Sequence, residues 1–125
     1  MKSVEKMIDE LVTQMRRTAE SPDIDAVHDL RVSVRRATEG IRIFKPAERR
    51  LRKEIKAIRE GAAAVRDRDV TRQILRRHRL PASDPACIYL QGQRDLAASQ
   101  LQQFLNLQLR RDRPARWRRW IGEDD

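Results

Sequence analysis

Cysteine is all but missing from this sequence. The lone Cys87 has no partner for an intrachain disulfide, and no histidine or second cysteine lies near it at zinc-ligand spacing, so a reducing cytoplasm is the expected compartment. Glycine (four residues) and proline (five) are scarce and β-branched runs are almost absent, which leaves little material for a sheet. Long apolar runs are lacking too. No window approaches the roughly 20 apolar residues that span a bilayer, and the opening MKSVEKMIDE carries acids where a secretion signal needs an unbroken apolar stretch. Only five aromatic rings occur (Phe44, Tyr89, Phe104, Trp117 and Trp120), and none interleaves the basic residues described below. Sequence-specific reading of single strands by base stacking is therefore disfavoured.

What the chain does have is positive charge. Its 125 residues carry 28 Lys plus Arg against 19 Asp plus Glu, a formal net charge of +9, and 23 of the cations are arginine. Arginine presents a planar fork that grips phosphate oxygens two at a time, so a polyanionic partner is expected: nucleic acid, polyphosphate or anionic lipid. So much charge in an unpatterned chain would mean disorder. Here apolar residues recur at helical spacing from end to end, which indicates one folded, all-α domain: an antiparallel bundle of helical hairpins with about four to five helices.

The first helix is expected over about Ser3 to Ala19, with Val4, Ile8, Leu11 and Met15 on one face, stopped by Ser21 and Pro22. Asp25 is the expected N-cap of a second helix running to about Lys45. A third starts at Pro46, carries Leu51, Ile55, Ile58, Ala62 and Val65, and ends near Arg66. Asp67 or Asp69 would then cap a short fourth helix with Val70, Ile74 and Leu75, closing at a loop over residues 80–86. A fifth helix from about Pro85 to Arg111 places Leu90, Ala97, Leu101, Phe104 and Leu105 on a face, and residues 112–125 form a tail.

The cations have a fixed relation to the core. In the second helix the heptad positions Val27, Leu30, Val34, Ala37, Ile41 and Phe44 are followed by His28, Arg31, Arg35, Thr38, Arg42 and Lys45. In the third, Glu48, Leu51, Ile55, Ile58, Ala62 and Val65 are followed by Arg49, Arg52, Lys56, Arg59, Ala63 and Arg66. One residue is about 100° of helix rotation, so each cationic stripe borders the buried face. Basic stems covering the margin of a core would give the same pattern. Like charges so spaced repel, however, and an anion would offset that repulsion. Whether the two stripes meet or diverge depends on the hand of the hairpin, which periodicity leaves open.

The run Val27-His28-Asp29-Leu30-Arg31-Val32-Ser33-Val34-Arg35-Arg36 with Ile41-Arg42-Ile43-Phe44, followed by Val65-Arg66-Asp67-Arg68-Asp69-Val70, resembles the two signature motifs of the CHAD family, the conserved-histidine α-helical domain. The likeness is clear over residues 24–75 and covers about one half-domain, since the usual domain resembles two such helical halves in tandem. It implies a helical bundle that binds inorganic polyphosphate, often at polyphosphate granules, and carried over position by position it implicates His28, Arg31, Arg35 and Arg42 with Arg52, Lys56, Arg59 and Arg66. The N-terminus of the second helix would add backbone donors near His28. A half-domain could complete its groove as a homodimer, with Phe104, Leu105, Trp117 and Trp120 as contacts.

Catalysis is not expected. No nucleophile or carboxylate pair surrounds His28, His78 has no ligand partner in sequence, and Asp67 and Asp69 read as caps or ion-pair partners rather than magnesium ligands. No Gly-rich phosphate loop or metal pattern occurs, so neither a cofactor nor a metal is expected. The expected function is non-catalytic polyphosphate binding, with generic RNA or DNA binding by the same face, or a purely structural oligomer, as alternatives.

Overall fold

The computed structural model describes residues 2–123, so Asp124 and Asp125 of the expected tail lie outside the described residues. Five helices follow one another: α1 (Lys2–Glu20), α2 (Ile24–Phe44), α3 (Arg49–Arg77), α4 (Pro85–Arg110) and α5 (Arg113–Gly122), with no strand among the described residues. The four long helices pack as a ring, α1 on α2, α2 on α3, α3 on α4 and α4 back on α1, while α5 lies against α1 and α4.

The heptad residues do what their spacing requires. Val4, Ile8, Leu11 and Met15 of α1, Val27, Leu30, Val34, Ala37 and Ile41 of α2, and Leu51, Ile55, Ile58, Ala62 and Val65 of α3 are all buried in one cluster, joined by Ala97, Leu101 and Leu105 of α4. Gly40 faces α1 at Met7. A Cβ at this position would stand 2.5 Å from the Met7 sulfur, so the flexible Met7 side chain would have to shift. Phe44 departs from the expectation and is exposed, because the position that closes the α2 seam is Lys45. Its buried side chain donates from Nζ to the Glu123 carbonyl at 2.8 Å.

Several helix ends differ from the sequence-based expectation, each for a local reason. Asp23, not Asp25, caps α2 by accepting from the Ala26 N–H at 2.8 Å. Pro46 stays in the turn, and α3 starts at Arg49 because the Glu48 carboxylate accepts from the Leu51 N–H at 3.4 Å. The expected tail forms helix α5, whose Trp117 and Ile121 are buried and close one end of the core, the Trp117 indole N–H donating to Glu54 at 3.2 Å. Of the expected dimer contacts, Leu105 and Trp117 are buried in the protomer's own core and offer no surface to a partner, whereas Phe104 and Trp120 are half-buried against it. Leu90 is only half-buried.

The main correction concerns Asp67 and Asp69, which cap nothing. Helix α3 runs unbroken through them for 29 residues, and Asp69 is buried mid-helix. Its carboxylate accepts from Arg94 Nε on α4 at 3.0 Å, while the Arg94 Nη2 donates to the Pro22 carbonyl in the α1–α2 turn at 2.7 Å. This clamp ties the two hairpins together. Beyond it α3 and α4 continue past the end of α1 and α2, so Val70 and Ile74 are exposed rather than packed.

Two outcomes follow from these caps and clamps. Asp69→Ala leaves Arg94 unpaired and should cost about 3 kcal/mol in urea unfolding, whereas Asp69→Leu with Arg94→Met recovers most of the loss. Glu48 titrates below its ordinary value of 4.5, chiefly through the hydrogen bond from Arg50, with the Leu51 N–H adding to the effect against desolvation. Its contribution is therefore complete above its unfolded pKa and disappears as pH falls through the lowered folded value. Glu48→Gln should flatten the acid limb of a stability-against-pH curve there and leave its slope at neutral pH unchanged.

Candidate polyanion groove

The hand of the α2–α3 hairpin brings the two cationic stripes face to face. Two adjoining clefts, about 280 and 350 Å³, run between the helices and share Thr38, Arg42 and Arg59 in their walls, so they form one groove. His28, Arg31 and Arg35 line the first cleft, and Arg52 and Lys56 line the second. Seven of the eight expected residues thus meet in one place. Arg66, two turns beyond Arg59 on α3, is half-buried and is not among the residues that line it. From His28 to Arg42 the α2 wall rises about 21 Å at 1.5 Å per residue. Both walls come from one chain.

Arg49 and Lys53 also line the groove, which brings its Lys and Arg side chains to eight, against Glu39 as the single carboxylate in the lining. Lys53 breaks the one-after-the-core pattern and was therefore missed. Its position four residues after Arg49 and three before Lys56 is the signal that would have found it. Thr38, the uncharged residue that follows Ala37 in the α2 stripe, sits where the two clefts join, its hydroxyl donating back to the Val34 carbonyl at 2.8 Å.

The groove's cations are little neutralised from within. Among the described residues Arg31, Arg35, Arg42, Arg49, Lys53 and Arg59 have no carboxylate at ion-pair distance, and Lys56 only reaches Glu60 at 4.0 Å. Arg52 donates to the Pro46 carbonyl at 3.1 Å. The acids of this region are turned elsewhere: Asp29 pairs with Arg17 of α1, and Glu54 faces Arg113 and Trp117. At the α2 N-terminus Asp23 accepts from the Ala26 N–H and Asp25 adds a second carboxylate, which lowers the positive potential there.

His28 is exposed on the groove wall, His78 is exposed at the end of α3, and Asp69 is committed to Arg94. Among the described residues no three His, Cys, Asp or Glu side chains gather as metal ligands, and no helix is long and apolar enough to cross a membrane.

A helical bundle with a basic groove along one hairpin is the class of protein that fold and site define. The CHAD domain family model matches residues 2–125, essentially the whole chain, and the chain belongs to that family, which is associated with polyphosphate- and triphosphate-binding proteins. No curated protein and no solved structure proved significantly similar to it.

So many like charges along one hairpin repel one another. Arg35→Gln should therefore raise the melting temperature by a degree or two at low ionic strength, and the gain should shrink once added salt brings the screening length to about 3 Å. A lower melting temperature at both ionic strengths would show that Arg35 supports packing instead.

Proposed function

We propose that the chain binds inorganic polyphosphate non-catalytically in the α2–α3 groove, and so places the protein carrying it at polyphosphate deposits. The observation that carries this reading is the convergence of two helical stripes into one groove lined by eight Lys and Arg side chains and a single carboxylate. A linear polyanion with about one charge per phosphate matches cations that recur once per turn, about every 5.4 Å along each wall. Arginine forks on both sides can hold phosphate oxygens in pairs, and such bonds to ionised groups are about twice as strong as neutral ones. Membership of the CHAD family supports the same ligand. The groove's lining includes no aromatic ring on which a base could stack, which favours a bare phosphate chain over single-stranded RNA or DNA.

The test is a competition at fixed, near-physiological salt. Labelled long-chain polyphosphate is displaced by unlabelled polyphosphate or by RNA at equal phosphate concentration, with the wild type and with Arg31→Ala/Arg35→Ala/Arg59→Ala. Polyphosphate should displace far better than RNA, and the triple variant should lose at least about tenfold in affinity, with a shallower salt dependence and unchanged helical circular dichroism. Equal displacement by RNA would make the groove a generic polyanion surface. Unchanged affinity in the variant would remove the ligand from the groove altogether.

A further inference from the structure

The bundle is closed at one end and open at the other. Trp117 and Ile121 of α5 seal the end where α3 begins, whereas past the Asp69–Arg94 clamp α3 and α4 run on as a bare hairpin. From Pro85 to Arg94 this overhang is about 13 Å long. Of the nine large hydrophobic side chains exposed among the described residues, Val70, Ile74, Leu80, Ile88 and Tyr89 lie on it, and Leu96 lies at its base. The α4 face that meets the core through Ala97 and Leu101 continues at heptad spacing into the overhang as Leu90, Arg94 and Cys87. It is a core face that has outrun its core.

Between the two overhanging helices lies a groove of about 480 Å³, floored by Leu75, Leu80, Cys87 and Ile88 and flanked by Arg72 and Arg76. Arg77 and Arg79 follow at the hairpin tip, both exposed. Among the described residues none of Arg72, Arg76, Arg77 and Arg79 has a carboxylate at ion-pair distance, and the buried Asp69 is held by Arg94. The site thus asks for an occupant that is apolar in the middle and negative at the edges. Polyphosphate offers the charge and nothing for the floor. A second copy of this chain would set one arginine rim against another. A flat anionic bilayer reaches the tip but not the half-buried Leu75 and Cys87 between the helices.

We propose that this overhang docks an amphipathic helix of another protein, one with an apolar stripe at i, i+3, i+4 and i+7 flanked by Asp or Glu. A helix fills a cleft between two helices by packing its ridge into their groove, and the carboxylates answer the arginine rim. The site is separate from the α2–α3 groove and does not depend on what that groove binds.

Cys87, the only cysteine, reports occupancy. The probe is a synthetic peptide of about 18 residues, five helical turns, with leucines at that spacing and glutamates elsewhere, and the readout is the rate of Cys87 alkylation by iodoacetamide. At ten times its Kd the peptide should slow alkylation about tenfold, since protection follows the bound fraction. Ile88→Glu, an exposed substitution outside the core, should abolish the protection while leaving polyphosphate binding as in the wild type. A lysine-for-glutamate peptide should protect little. No protection by the glutamate peptide overturns the proposal, as does equal protection by the lysine peptide or by polyphosphate. Protection by phosphatidylglycerol vesicles but not by the peptide would point to a membrane, and protection that rises with protein concentration alone would point to a second copy; either result also overturns it.

Discussion

The organisation of this protein depends on the antiparallel packing of α2 against α3 through an apolar seam that each helix borders with cations one residue later. The seam residues, from Leu30 to Ile41 on α2 and from Leu51 to Ala62 on α3, share one buried cluster. Because the cations sit about 100° of rotation from that seam, they cannot be moved away from one another without opening the core. On antiparallel neighbours the same offset points in opposite senses around the bundle. With this hand of hairpin the two flanks turn towards each other, and a groove rich in arginine results.

Those cations cost the fold something. The i,i+4 pairs Arg31–Arg35, Arg49–Lys53 and Arg52–Lys56 each oppose helix formation by a few tenths of a kcal/mol, together about 1 kcal/mol at low salt. Against a typical stability of about 5 to 15 kcal/mol this is tolerable. The fold offsets it away from the groove, where its carboxylates are used. Glu48 starts α3 and meets Arg50, Asp69 holds Arg94, Asp9 meets Arg118 at 3.2 Å, and Asp29 meets Arg17. Acids are thereby drawn onto the surfaces that hold helices together, which leaves the α2–α3 cations open to an outside anion.

The second family motif acts between helices. Its run Val65-Arg66-Asp67-Arg68-Asp69-Val70 reads as a place where a helix ends, since two aspartates flank an arginine and caps are the usual use of such residues. In the folded protein Asp69 reaches α4, and through Arg94 reaches the turn at Pro22, so the motif is a staple between hairpins. Nothing near it in sequence announces Arg94, which lies 25 residues away. Lys53 and the burial of Lys45 were hidden for related reasons: one lies on the lip of a groove that only two helices define, and the other is buried by the chain at Glu123.

Periodicity alone determined that the chain is all-α, which residues of α1, α2 and α3 enter the core apart from Phe44, Val70 and Ile74, and that a cationic stripe runs beside the seam on two consecutive helices. These are local facts, because a helix has one period and a side chain's angle about it follows from residue number. Tertiary structure decided the rest. It chose the hand that makes the stripes converge, left Arg66 outside the lining, turned the expected tail into the helix that closes the core, and carried α3 past its expected end into an exposed apolar hairpin. Each of these depends on residues far apart in sequence meeting in space, and no spacing along a single helix contains that information.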